Sequence, residues 1–150
     1  MTKEAYEAFT KALSIVCGQC CLNCCETCAA HETAEDCKSM FVTSRVIEIA
    51  EDLGWSCDIE EDGYAEFSQY SPAGEDFSFR TSIDFDEPSK YVREYYEDFD
   101  PEEHVLMWLE AKKNGVSGVP SVYDLVHDAD DIERMLKKLS DALMEVDAEV

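Results

Sequence analysis

The sequence predicts an α+β fold: a three-stranded antiparallel meander packed by about five helices, with a Cys-rich metal-binding N-terminal arm. Three observations predict it. Apolar residues recur at helical spacing near both ends of the chain, the period drops to two between Trp55 and Ile83, and turn residues punctuate that middle stretch. The 150 residues are 45% apolar and 11% aromatic, too apolar for a disordered acidic tail and about the length of one domain.

Residues 2–16 read as a helix, with Phe9, Leu13 and Val16 on one stripe beside Ala5 and Ala12. A second helix is predicted from Ala34 to Leu53, carrying Phe41, Val42, Val46, Ile49 and Ala50, with Gly54 as its C-cap. Trp55, Cys57 and Ile59 then alternate with polar residues, and Asp62-Gly63 signals a two-residue hairpin. Tyr64 to Tyr70 and Asp76 to Ile83 give two further strands, joined through Ser71-Pro72-Ala73-Gly74. Tyr91, Val92, Tyr95 and Phe99 form the stripe of a third helix. Asp100-Pro101-Glu102-Glu103 is a helix start, with an N-cap, a proline at the first helical position and acids in the first turn, and Val105, Trp108 and Leu109 face inward from it. Ser121 caps the last helix, whose Leu125, Ala129, Ile132, Leu136, Leu139 and Leu143 make the strongest amphipathic pattern in the chain. Two regions are expected: a helical, Cys-rich, zinc-binding arm over residues 1–40 and an acidic α+β domain over 41–150.

Twelve basic and 35 acidic residues leave a net charge of −23. Residues 48–110 alone hold 20 acids and 3 bases, a net of −17. Such a surface does not bind nucleic acid directly or dock on anionic membranes, since both need basic groups. A solvated acidic face would serve solubility alone, whereas a gathered one attracts a basic partner. No apolar run approaches the roughly 18 residues of a membrane-spanning helix. Glu4 and Glu7 stand where an export signal would be basic, so the chain reads as cytoplasmic.

In a reducing compartment, cysteines serve as metal ligands or reactive thiols more often than as disulfides. Residues 17–28 read CGQCCLNCCETC, three Cys-x-x-Cys pairs, with His31 and Cys37 close behind. That spacing suits zinc, whose thiolate ligands lie about 2.3 Å from the ion. On one unbroken helix Cys17 and Cys28 would stand roughly 16 Å apart, so either the chain bends near Gly18 or Asn23 or the ligands divide between two ions. The preferred single site is Cys17, Cys20, Cys25 and Cys28, with Cys21, Cys24 and Cys37 in reserve; a full thiolate shell of this kind is structural. The competing readings are a buried apolar stripe, a dithiol redox motif at Cys17-Gly18-Gln19-Cys20 and a thiol metal buffer. Cys57 reads as core, and His104 as a surface histidine. Asp58, Glu60 and Asp62 only faintly resemble a calcium loop, because Gln69 stands where a glutamate is needed. His127 has no nucleophile near it in sequence, and no Walker A, GxGxxG, HExxH or GxSxG pattern occurs, so nothing argues for an enzyme.

The stretches AEFSQYSPAGEDFSF (65–79), DPEEHVLMWLEA (100–111) and GVPSVYDL (118–125) resemble small acidic proteins carried on phage and mobile elements, over roughly residues 42–143. With the thiol-rich arm, the chain is similar to acidic, metal-containing anti-CRISPR proteins directed against type II Cas9. The resemblance implies an inhibitor, working in the bacterial host cytoplasm, that stops target DNA from entering the effector. Cas9-type effectors hold nucleic acid in positively charged channels, which clustered carboxylates can occupy. The charge distribution nominates Asp58, Glu60, Glu61 and Asp62 at the hairpin, and Glu94, Glu97, Asp98, Glu102 and Glu103 on the helices, as the partner-binding groups. The alternative is a zinc-stabilised acidic module for another basic host protein, such as a restriction enzyme or transcription factor.

Overall fold

The computed structural model describes residues 2–18, 29–60 and 63–150. Their elements run α1 (Lys3–Gly18), α2 (Ala29–Asp52), β1 (Ser56–Ile59), β2 (Tyr64–Tyr70), β3 (Asp76–Ser82), α3 (Lys90–Asp98), α4 (Pro101–Lys113) and α5 (Val122–Asp147). The strands form one antiparallel sheet in the order β1-β2-β3, so the fold is α+β, with a meander packed by five helices.

Local chemistry sets the element ends. Gly54, at φ 87°, closes α2 in a Schellman motif: its N–H bonds Glu51 O, and the Trp55 N–H bonds Ala50 O. Asp100 caps α4, accepting from the Glu102 and Glu103 N–H groups at 2.8 and 3.3 Å. Ser121 caps α5 by accepting from Asp124 N–H at 3.2 Å. Ser89 starts α3 differently. Its N–H and hydroxyl both donate to the Asp147 carboxylate, at 2.9 and 2.5 Å, so the last residue of α5 holds the first turn of α3.

The β1–β2 hairpin differs from expectation. Ile59 pairs with Ala65 and the Glu60 N–H bonds Tyr64 O, so the connection holds three residues rather than two. Gly63, at φ 83°, takes the left-handed place that closes a three-residue loop, which explains the glycine without a two-residue turn.

The alternation in the strands is realised as one buried face. Ala65, Phe67, Phe77 and Phe79 point inward and are at most 6% exposed, while Tyr64, Glu66, Ser78 and Arg80 point out. Phe79 lies at the middle of an aromatic layer. It stacks on Phe67 (5.1 Å between ring centroids) and on Tyr95 of α3 (4.4 Å), and meets Trp55 edge-on at 5.7 Å. Phe41, Val42, Val46 and Ala50 of α2 and Ile132, Leu136, Leu139 and Leu143 of α5 complete the main core. A smaller core of Val105, Leu125 and Ala129 joins α4 to the first turns of α5, so α5 spans both.

Tyr6 stacks on Phe41 at 4.3 Å, which brings α1 into the main core. Lys3 and Arg45 both reach the Glu149 carboxylate, at 2.8 and 3.0 Å. From Tyr6 to Lys3 the numbering falls along α1, and from Phe41 to Arg45 it rises along α2, so the two helices run antiparallel. Twelve residues separate Tyr6 from Gly18, and twelve separate Phe41 from Ala29. Both stretches therefore rise about 18 Å, which sets the Gly18 and Ala29 backbones at about the same level. Helix α2 itself runs unbroken through residue 40.

Two outcomes follow from this packing. Truncating Phe67, which is 0% exposed, to alanine removes a ring from the centre of the sheet's inner face. Phe67→Ala is expected to cost about 3–5 kcal/mol in urea unfolding, a large part of a typical domain's stability. Glu149 supplies the second. The hydrogen bond from Lys3, joined by that from Arg45 against the cost of burial, holds its carboxyl below the usual carboxylate range. A carboxyl depressed in the fold contributes fully at neutral pH and loses that contribution as pH falls through the carboxylate range. Glu149→Gln is expected to lower the thermal midpoint at pH 7 and to narrow its gap to wild type towards pH 3, followed by circular dichroism.

Candidate partner-binding surface

The acidic residues singled out in the sequence fall on two parts of the structure. Strand β2 begins at the hairpin with Tyr64 and ends at Tyr70 by the β2–β3 turn, which holds Glu75. Glu75 in turn contacts His104 at the start of α4. The hairpin acids and the α4 acids therefore lie at opposite ends of β2, whose seven residues span about 23 Å. At the hairpin end, Asp58 is exposed and faces Glu66 across β2, while Glu60 is paired with Arg80 at 2.6 Å. Arg80 sits over the Tyr64 ring at 4.7 Å and stands opposite Glu66 in the register, which offsets the like-charge pairing on this face. Glu61 and Asp62 lie outside the described residues.

At the other end, Glu94, Glu97, Asp98, Glu102 and Glu103 are all exposed on α3 and α4. None of them enters an ion pair among the described residues. The two helices meet at Phe99-Asp100, and the angle between them and β3 leaves an open groove of about 960 Å³. Asp76, Asp98, Glu103 and Glu110 stand around it, and Phe77, Tyr95 and Phe99 line it together with Leu106 and Met107 of α4.

His104 corrects the expectation of a surface histidine. Its side chain is 9% exposed, and its Nε2 lies 3.1 and 3.2 Å from the two Glu75 carboxylate oxygens. Phe77 meets its ring at 6.2 Å and Phe99 at 5.6 Å. It thus ties the β2–β3 turn to the first turn of α4 and forms one wall of the groove. His127 is exposed, and its ring meets that of Tyr123 edge-on at 4.4 Å.

Sequence reasoning missed Leu106 and Met107, although the signal was present. Residues 105–109 read VLMWL, five consecutive apolar residues on a helix. Val105, Trp108 and Leu109 pack against α5, and a helix cannot turn five successive residues to one side. Leu106 and Met107 consequently stand 63% and 58% exposed.

The thiols of Cys17, Cys20, Cys21, Cys24, Cys25 and Cys28 and the ring of His31 lie outside the described part of the structure, and with them the preferred zinc ligand set. The described part of α1 reaches Gly18, and Asn23 lies outside the described residues. Cys37 is half-buried and free on α2, eight residues, or about 12 Å, beyond its first residue. Cys57 is also free, and burial, aided by the nearby charges of Asp58 and Glu51, pushes its thiol up to about 12. It is a core strand residue with no thiolate for chemistry at neutral pH. Among the described residues, no cluster of three or more His, Cys, Asp or Glu could hold a metal ion, and no helix is long and apolar enough to cross a membrane.

Comparison with protein-family models, with curated proteins and with solved structures finds no match to this chain, so the resemblance to anti-CRISPR proteins rests on the sequence stretches alone.

Proposed function

We propose that the chain is a non-catalytic inhibitor that docks its carboxylates on the basic nucleic-acid-binding surface of another protein, a Cas9-type effector in the first instance, and keeps target DNA out. The observation that carries this reading is the row of exposed, unpaired acids on α3 and α4: Glu94, Glu97, Asp98, Glu102 and Glu103. Holding like charges together on two adjoining helices works against the fold. A partner's lysines and arginines relieve that repulsion on binding, and displaced counterions add to the gain as they do for phosphates. The main core and the Asp147–Ser89 contact fix α3 before any partner arrives, so little ordering cost is left for association. Zinc, in this reading, is held by the 17–28 thiols as a structural ion, with Cys17, Cys20, Cys25 and Cys28 as the first set to test. Thiolates on a closed tetrahedral ion would lock the tip of the α1–α2 pair and contribute nothing to chemistry.

The carboxylate reading is tested by a Cas9 DNA-cleavage assay with the purified chain. Wild type is expected to inhibit, less strongly as salt rises. Changing Glu94, Glu97, Glu102 and Glu103 together to Lys is expected to abolish inhibition and remove its salt dependence. Unchanged potency in that variant contradicts the mechanism. No inhibition by wild type, together with capture of a different basic protein from a host lysate, moves the same surface to the alternative partner class.

The zinc reading is tested by elemental analysis of the purified protein. One or two zinc ions per chain that survive dialysis are expected, falling when Cys20 and Cys25 are changed to Ser. Zinc-free protein, many labile ions or a readily formed disulfide contradicts a structural site.

A further inference from the structure

Resting on that reading, we infer that the α3–α4–β3 groove receives one basic amphipathic segment of the partner, with an apolar side chain against Leu106 and Met107 and lysines or arginines at the acidic rim. Helix α4 carries two stripes. Val105, Trp108 and Leu109 are spent on α5. Glu103, Leu106, Met107 and Glu110 follow the i, i+3, i+4, i+7 spacing of the other face and border the groove. A surface built only to imitate a polyanion has no use for Leu106 and Met107 at 63% and 58% exposure. Placed between Glu103 and Glu110, beside Asp76 and Asp98 across the groove, they form an apolar centre with an acidic rim, the reverse of a cationic amphipathic segment.

The groove's charge excludes a nucleic acid as occupant, because its rim offers no lysine or arginine. It equally disfavours a second copy of this chain, which would bring −23 against −23. Its volume of about 960 Å³ is enough for several side chains of a short segment. The contact with His104 and Phe99 gives the groove a fixed wall, so the site is formed in advance of binding.

The test uses the full chain and three probes: a short synthetic peptide alternating leucine and lysine at helical spacing, the same peptide with serine for leucine, and oligolysine. The leucine peptide is expected to bind at least about tenfold more tightly than the other two, by fluorescence anisotropy at physiological salt. The variant Leu106→Gln with Met107→Gln, altered only at exposed positions, is expected to lose that tenfold while keeping its thermal midpoint and its oligolysine affinity. Equal affinity for all three probes, or a double variant that binds the leucine peptide as wild type does, overturns the inference. Either result leaves the carboxylate reading standing, since that one is tested separately, by whether the four-lysine variant still inhibits.

Discussion

Phe79 meets four other aromatic rings, Phe77 among them at 6.2 Å, and the positions of α3 and α4 follow from those contacts. Phe67 on β2 and Trp55 before β1 hold it from within the meander, and Tyr95 holds it from α3 at 4.4 Å. Stacked rings of this kind add to plain area burial and prefer a narrow range of geometries. Tyr95 therefore fixes the rotation of α3 about its own axis. With the buried face set by Val92 and Tyr95, Glu94, Glu97 and Asp98 have only the outward side left. The same layer continues through Phe77 to Phe99 and His104, and so sets where α4 departs and how wide the groove opens.

The charge adds a second constraint. A net −23 on 150 residues must be carried by a core of ordinary size. Some ion pairs join segments: Lys3 and Arg45 on Glu149 tie both ends of the chain to α2, and Arg93 pairs with Glu87 at the entry to α3, while Arg134 with Asp131 and Lys137 with Asp141 pair within α5. Asp84 accepts the Asp86 and Glu87 N–H groups, which keeps its carboxyl below its ordinary range and shapes the link between sheet and helix. Several of the scarce cations thus serve the joints, and Asp98 of α3 and Glu103 of α4 border the groove without an ion pair among the described residues.

Periodicity made most of the fold legible. The change of period located the strands that carry Phe67, Phe77 and Phe79, and the spacing of Ile132, Leu136, Leu139 and Leu143 placed the seam of α5. Capping chemistry located the start of α4 at Asp100, because that signal is local. What escaped the sequence depends on distant partners. Nothing near His104 announces that Glu75 and two aromatic rings enclose it, since 29 residues separate the pair. Ser89 carries no signal in the sequence, because its partner is Asp147 near the far end of the chain. The acids were read as one segment; the length of β2 separates the hairpin group from the helical group, a distance no count along the chain contains. Leu106 and Met107 could have been found by asking how many sides of α4 are packed.

The central claim is that the α3–α4 acids and their groove form the face gripped by a basic partner. Hydrogen–deuterium exchange of the chain, alone and bound to guide-loaded Cas9, tests it most directly. The account predicts added protection in residues 94–110 and in the β3 segment beside them, with α2 and the body of α5 unchanged. Protection confined to other elements, or an unchanged exchange map, would contradict it.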